Sequence, residues 1–266
     1  MLKSQNCNIN TKNGVMYITF PILEKYGVKH CFSTRIGGVS EGRYATMNLS
    51  YTNGDKEENV RENFRRITGC IGVESSSVVM THQTHTVNLK NINETTDTVP
   101  QNIDGIMTNK KGITLCSSYA DCVPLIFYDT QKKVIATSHS GWRGTVNEIG
   151  RLTVEKMTAD YDSNPKDIVA VIGPSICSDC YEVDDTVIDC VKKLKYLNFG
   201  EVITDKTQGK YLLDLKGVCK ATLEFSGIPK ENILVSDICT CCNSEFLHSH
   251  RATGGERGNL CAFLAL

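Results

Sequence analysis

Cys122 and His139 are the pair whose chemistry and spacing stand out in this chain. They lie in Ala120-Asp121-Cys122-Val123-Pro124 and Ser138-His139-Ser140-Gly141-Trp142-Arg143-Gly144. Between them run Leu125-Ile126-Phe127-Tyr128, the polar turn Asp129-Thr130-Gln131-Lys132-Lys133, and Val134-Ile135-Ala136-Thr137. This reads as two strands around a tight turn. A turn centred on Thr130 and Gln131 sets Cys122 directly opposite His139, with Cβ atoms ~4.5–5.5 Å apart. A thiolate and an imidazole that close can share a metal or act as nucleophile and base. Pro124 has no N–H for a central ladder, so it marks an edge or bulge that would shift this register.

Other reactive residues sit at strand ends. Val78-Val79-Met80 runs into Thr81-His82-Gln83-Thr84-His85. Either histidine is a candidate partner for Cys122 and His139. Two His and one Cys around an open fourth position suit a catalytic zinc that lowers the pKa of water toward ~7. Arg35 precedes the paired glycines of Ile36-Gly37-Gly38-Val39-Ser40, where backbone could approach a ligand and the guanidinium could grip phosphate. On spacing alone an ordinary turn is the preferred reading there. Arg143, close behind His139, has the better claim.

Cys177-Ser178-Asp179-Cys180 and Cys239-Thr240-Cys241-Cys242 together read C-x2-C…C-x2-C, the spacing of a zinc ribbon. The stretch between them holds a helix, a strand and a helix, far more than a ribbon needs, and neither pair resembles a hairpin knuckle. The expectation is therefore against a second, structural zinc, and more strongly against a thioredoxin-like role for Cys177 and Cys180. His248 and His250 form an H-x-H pair whose rings would share one face of a strand. Copper oxidases need several such pairs, and this chain has six histidines in all. Gly173-Pro174-Ser175 and Gly254-Gly255-Glu256-Arg257-Gly258 match no nucleotide fingerprint.

The elements that must position these groups alternate. Strand-like runs cover His30-Cys31-Phe32-Ser33-Thr34, Val78-Val79-Met80, Ile113-Thr114-Leu115-Cys116, Ile168-Val169-Ala170-Val171-Ile172 and Asn232-Ile233-Leu234-Val235. Apolar spacing predicts helices over 57–69, 144–160, 184–197 and 214–226, the last capped by Asp214 and stopped at Gly227-Ile228-Pro229. The class is α/β or α+β with mixed sheets. With 266 residues, no repeat and no linker, residues 1–266 read as one domain. A net charge of -1 argues against nucleic-acid and anionic-membrane partners. Without an apolar signal core or a membrane-length run, the expectation is a soluble cytoplasmic protein. Thirteen cysteines, an odd number in such a chain, fit reduced thiols and metal ligands better than disulfides.

Several blocks together resemble one family. They are Thr34-Arg35-Ile36-Gly37-Gly38-Val39-Ser40, Met47-Asn48-Leu49, Gln83-Thr84-His85, Asp104-Gly105, Ala120-Asp121-Cys122-Val123-Pro124, His139-Ser140-Gly141-Trp142-Arg143-Gly144, Ile172-Gly173-Pro174-Ser175-Ile176, Cys180-Tyr181-Glu182-Val183 and Cys239-Thr240. From about residue 15 to the end, the chain resembles the bacterial YlmD/YfiH family, also called the multicopper polyphenol oxidoreductase (laccase) or FAMIN-like family. The resemblance implies an α/β sandwich with mixed sheets, related to toxin deamidases. It implies zinc, in preference to copper, on His85, Cys122 and His139. It implies phosphorolysis of adenosine, inosine and methylthioadenosine, with adenosine deaminase activity, so that purine nucleosides and phosphate are the partners. Cys122, Asp121 and Arg143 are then the expected catalytic residues, Asp121 as a proton shuttle. Arg35, Asn48, Gln83 and Arg251 are the expected substrate and phosphate contacts. The family's Phe-Ser-Tyr-Arg segment reads Leu247-His248-Ser249-His250-Arg251 here, and its late Gly-Arg reads Gly258-Asn259. The rival readings are a Cys–His hydrolase of a peptidoglycan-precursor amide, a copper-dependent polyphenol oxidase and a non-catalytic metal-binding protein.

Overall fold

Alternation along the strands builds the architecture. In Val123–Asp129, Val123, Leu125 and Phe127 face one apolar cluster while Ile126 and Tyr128 face another. In Leu260–Ala265, Leu260, Ala262 and Leu264 join that second cluster, and Cys261 and Phe263 turn to a third. Strands buried on both faces must lie in inner layers. The computed structural model, which describes residues 1–95 and 99–266, accordingly has two six-stranded mixed sheets packed face to face, each with helices on its outer face.

The first sheet runs in the order Asn8–Lys12, Val15–Thr19, Lys29–Ser33, Leu260–Ala265, Thr114–Tyr119, Val78–Met80. The second runs Ile233–Val235, Ile168–Ile172, Val123–Asp129, Ile135–Ser140, Gly105–Thr108, Leu89–Asn91. Its outermost pair at each end is parallel and the rest is antiparallel. A small antiparallel sheet joins Glu182–Asp184, Lys210–Leu213 and Ile203–Asp205. Glu57–Ile71 covers the first sheet with Val60, Phe64 and Ile67, one stripe at helical spacing. Ile149–Tyr161 and Leu215–Phe225 cover the second. Among the described residues no helix is long and apolar enough to cross a membrane.

Two expectations about elements need correction. The helix expected over 144–160 is broken into Trp142–Val146 and Ile149–Tyr161, because Glu148 adopts a left-handed conformation with φ 59°. The helix expected over 184–197 spans only Asp185–Val191, and Leu194 and Leu197 reach the core through turns instead. Asp214 does cap its helix, accepting from the Gly217 amide.

The hairpin register also differs. Val123 pairs with Ser140 and Pro124 with His139, so Cys122, just before the strand, falls against Gly141 rather than His139. The Asp129 carboxylate accepts from the amides of Gln131 and Lys132, which widens the turn to four residues between Asp129 and Val134. A slip of one residue would have turned Cys122 to the other face; a slip of two keeps it on the face of His139.

Two histidines are buried as neutral rings. His30 Nε2 accepts from the Phe20 amide at 2.9 Å while Nδ1 donates to the Val28 carbonyl at 2.8 Å. Burial of His248, with the Arg35 and Arg257 charges nearby, pushes its pKa down to about 3. In an unfolded chain it titrates near ~6.5. Between these values the unfolded state takes up a proton that the folded state refuses, so stability falls as pH drops below ~6.5, by up to about 1.4 kcal/mol per pH unit for one such ring. His248→Asn keeps an acceptor for the Gly258 amide and removes the titration. Urea unfolding followed between pH 6.5 and 4 should show a shallower loss of stability for this variant; an unchanged slope would show that His248 is not held neutral.

Candidate functional site

The site is assembled where the edge of the first sheet meets the middle of the second. His139 comes from Ile135–Ser140, on the face turned toward Tyr119 of the first sheet, with ring centroids 5.6 Å apart. Cys122 comes from the bend preceding Val123–Asp129, and His85 from the loop after Val78–Met80. One donor atom from each of His85, Cys122 and His139 lies within 4.8 Å of the others. Bonds of ~2.0–2.3 Å to a single ion would close that spacing with little movement.

Asp104 holds two of the three groups. This carboxylate is 1% exposed. It accepts from the amides of Thr84, His85 and Thr86 at 3.1, 3.0 and 2.8 Å, and from the Thr86 hydroxyl at 2.7 Å. It also takes His139 Nδ1 at 2.8 Å, which leaves His139 Nε2 to face Cys122 and the cleft. Burial opposes the Asp104 charge, yet the His139 ring and the Thr86 donors outweigh it and hold the carboxyl well below its usual range. For His139 burial again works against charge, but the Cys122 sulfur and Asp104 lift its pKa to about 9. His85 is pushed down by desolvation and by the positive neighbours His139 and Arg143. Positive charge is thus favoured on the His139 ring and disfavoured on His85. A divalent ion there would displace the imidazole proton.

Backbone shape matters as much as charge. His85 and Asp121, neither of them glycine, have φ of 61° and 86°, a left-handed strain of ~1–3 kcal/mol each. Gly141 leaves the room: a Cβ on it would meet His85 Nδ1 at 2.5 Å and Cys122 Sγ at 3.1 Å. The donor set fits a metal of intermediate softness such as zinc, with a carboxylate behind one imidazole.

These groups form the floor of a cleft of about 930 Å³, ample for a nucleoside and a small anion. Leu49, Tyr51, Phe64 and Met80 supply apolar wall, and Arg61, His82, Gln83, Arg257 and Asn259 supply polar groups. Tyr51 is 49% exposed and stacks on Phe64, with centroids 5.5 Å apart. His82 remains on the cleft wall, outside the cluster.

Several residues expected to touch substrate are committed elsewhere. Arg35 donates from Nε to the Ala45 carbonyl and from Nη1 to the Ser244 carbonyl. The neighbouring glycines serve backbone packing, since a Cβ on Gly38 would lie 2.1 Å from the Thr46 carbonyl oxygen. Asn48 is fully buried and bonds Asp55, Asn53 and the Asn259 amide. Arg251 donates to the carbonyls of Cys180 and Glu182. Asp121, expected as a proton shuttle, has both oxygens engaged, by the Thr240 hydroxyl at 2.6 Å and the Arg251 amide at 2.7 Å. These bonds anchor the strained turn that presents Cys122. Arg143 is exposed, stacks over Trp142 at 4.3 Å and acts electrostatically on His85. Gln83 does line the cleft, and its amide is pinned to both the N–H and the carbonyl of Ser118. The H-x-H pair is split: His248 is interior, and exposed His250 opens a short helix, so the two share no strand face.

Two residues gained importance only in three dimensions. In the sequence Asp104 belongs to the Asp104-Gly105 segment of the family resemblance and carries no assigned role. Arg257 sits in the loop over 254–258, which matches no nucleotide fingerprint. In the cleft Arg257 is half-buried, and among the described residues its buried Nε has no hydrogen-bond partner and its guanidinium forms no ion pair. Its Nη1 bonds Asn259 Oδ1 and the Gly258 carbonyl.

The chain is 36% identical over 243 residues to purine nucleoside phosphorylase YlmD of Bacillus subtilis, covering 88% of this chain and 87% of that one. It is 33% identical to adenosine deaminase RL5 of an unknown prokaryotic organism, covering 85% and 90%. The crystal structure of Bacillus licheniformis hypothetical protein YfiH superposes with a TM-score of 0.91 at 31% identity, covering 97% of this chain and 98% of that one. The family model described as multi-copper polyphenol oxidoreductase laccase matches residues 29–266. With the sandwich and the His–Cys–His cluster in place, the chain belongs to this laccase-domain family, alongside the YlmD and YfiH proteins.

Proposed function

We propose that this protein is a zinc-dependent purine nucleoside enzyme. It would cleave adenosine, inosine or methylthioadenosine with phosphate and deaminate adenosine. The observation that carries the reading is the convergence of His85, Cys122 and His139 on the floor of a cleft that also holds Arg257, an arginine with no ion pair among the described residues. Three converging donors favour a metal over a Cys–His nucleophile pair, which has no use for His85. The names of the similar phosphorylase and deaminase support the same substrate class. Thirteen free thiols suit a reducing cytoplasm.

Zinc, when bound, would supply a Lewis acid at the cleft floor. The chain's own groups do the rest. Asp104 fixes the His139 ring through Nδ1 and keeps Nε2 aimed at the floor. Tyr51, backed by Phe64, offers a ring face to the purine. Arg257 takes the phosphate: its half-buried guanidinium forms no ion pair among the described residues, and an anion in the cleft would offset the cost of its partial burial. In phosphorolysis that phosphate attacks C1′ of the ribose as the purine leaves with the bonding electron pair. In deamination water adds at C6 and ammonia departs.

The direct test is chelation followed by turnover of inosine with phosphate and of adenosine alone. Both activities should vanish in verified metal-free protein and return with zinc but not with copper. Full turnover without metal would reject the reading, and recovery with copper alone would favour the oxidase.

Gly141→Ala pushes a methyl into His85 and Cys122, so metal affinity at this site should drop by at least ~10–100-fold while far-UV circular dichroism is unchanged. Undiminished metal content, measured by plasma mass spectrometry, would show that the cluster does not close around an ion as described.

Arg257→Gln separates the two reactions. Losing a charge-assisted contact of ~1.5–3 kcal/mol should raise the KM for phosphate about 10–100-fold and leave adenosine deamination within a few-fold. An unaltered KM would place the phosphate elsewhere, with Arg143 the next candidate.

A further inference from the structure

A second sulfur-rich cluster lies outside the cleft. Cys177 and Cys180 follow Ile168–Ile172, and Cys239 and Cys242 follow Ile233–Val235. These strands are parallel neighbours, and the pairing continues past their ends as a bridge between Ser175 and Cys239, with the Thr240 amide donating to the Ser175 carbonyl at 3.1 Å. Parallel strands need a long crossover between them. The intervening stretch is that crossover, so its length brings the two C-x2-C pairs to one sheet end. Ribbon geometry is thus not the only route by which two such pairs can meet.

The four sulfurs lie within 4.8 Å of one another. Cys180 and Cys242 are 3.4 Å apart, and Cys177 and Cys242 3.9 Å. These separations are too long for a disulfide of ~2.05 Å and match thiolates arranged around one ion with bonds of ~2.3 Å. They are also too close for an iron–sulfur cluster, whose cysteines must reach around several metal atoms. Cys239 Sγ accepts two backbone amides, from Cys177 at 3.2 Å and Cys242 at 3.4 Å. A neutral thiol is a weak acceptor, and paired amides suit a ligating thiolate. The Arg251 guanidinium is bonded to the Cys180 carbonyl at the rim of the cluster. Cys242 is exposed, which gives an ion a way in.

We propose that Cys177, Cys180, Cys239 and Cys242 hold a tetrahedral structural zinc, distinct from the ion of the cleft. It would staple the two loops that anchor the catalytic cysteine. Thr240, between two of the ligands, bonds Asp121 Oδ1, the Ile176 amide beside Cys177 bonds the Asp121 carbonyl at 3.0 Å, and Arg251 bonds Asp121 Oδ2. Asp121 in turn presents Cys122. All four thiolates are protein ligands, so no position is open and the ion is not catalytic.

Metal analysis of the full chain tests this. Wild-type protein should carry two equivalents of zinc, and His85→Ala, which silences the cleft site, should keep one. Cobalt loaded into His85→Ala should show the intense sulfur-to-metal charge-transfer bands of a four-thiolate tetrahedral site. Adding Cys242→Ser should weaken those bands and lower the retained metal. One equivalent in wild type that disappears with His85→Ala would overturn the proposal. So would iron with acid-labile sulfide, or cobalt spectra lacking thiolate character. Because the wild-type stoichiometry and the His85→Ala spectrum leave the four cysteines intact, misfolding of a cysteine variant cannot decide the result.

Discussion

The Asp104 carboxylate, buried where the two sheets meet, accepts five hydrogen bonds from Thr84, His85, Thr86 and His139. A buried carboxylate can stay ionised only if its lone pairs are filled. Filling them forces the 84–86 loop to wrap around it, which turns His85 into its left-handed conformation and aims its ring at Cys122. The same carboxylate sets the His139 ring. One charge therefore determines the position of one imidazole and the orientation of another, and Cys122 completes the set from a separately anchored turn.

That turn obeys the same physics. The strain of Asp121 is offset by charge-assisted bonds from Thr240 and Arg251, each worth ~1.5–3 kcal/mol, against a conformational cost of ~1–3 kcal/mol. Arg251 is itself held by the carbonyls of Cys180 and Glu182. The floor of the cleft thus rests on two independent frameworks, one centred on Asp104 and the other on the segments around the four-cysteine cluster.

Polar side chains divide by whether their bonding capacity is already used. Arg35, Asn48 and Arg251 have donors committed to backbone carbonyls or buried amides, so they brace loops. Arg257 spends Nη1 on Asn259 and the Gly258 carbonyl, yet its buried Nε in the cleft has no partner among the described residues. All of these look alike as polar residues in glycine-containing loops. Only the count of satisfied donors tells a brace from a binding group, and that count requires coordinates.

Local patterns determined a good deal by themselves. Runs such as Ile168–Ile172 and the stripe of Val60, Phe64 and Ile67 announce their elements because periodicity depends on near neighbours alone. The Asp-Cys and His-x-Gly-Trp-Arg-Gly blocks mark the hairpin that carries two of the three converging donors, and a two-residue error in register did no harm because side chains alternate with period two. What the tertiary structure decided was everything set by distant partners. The helix over 144–160 breaks at Glu148, whose carboxylate is held by Arg151 and by Tyr196. Asp104 matters because of what wraps around it, and Arg257 because of what fails to. Cys177–Cys180 meets Cys239–Cys242 because two strands are parallel neighbours, a fact that no spacing along one chain contains.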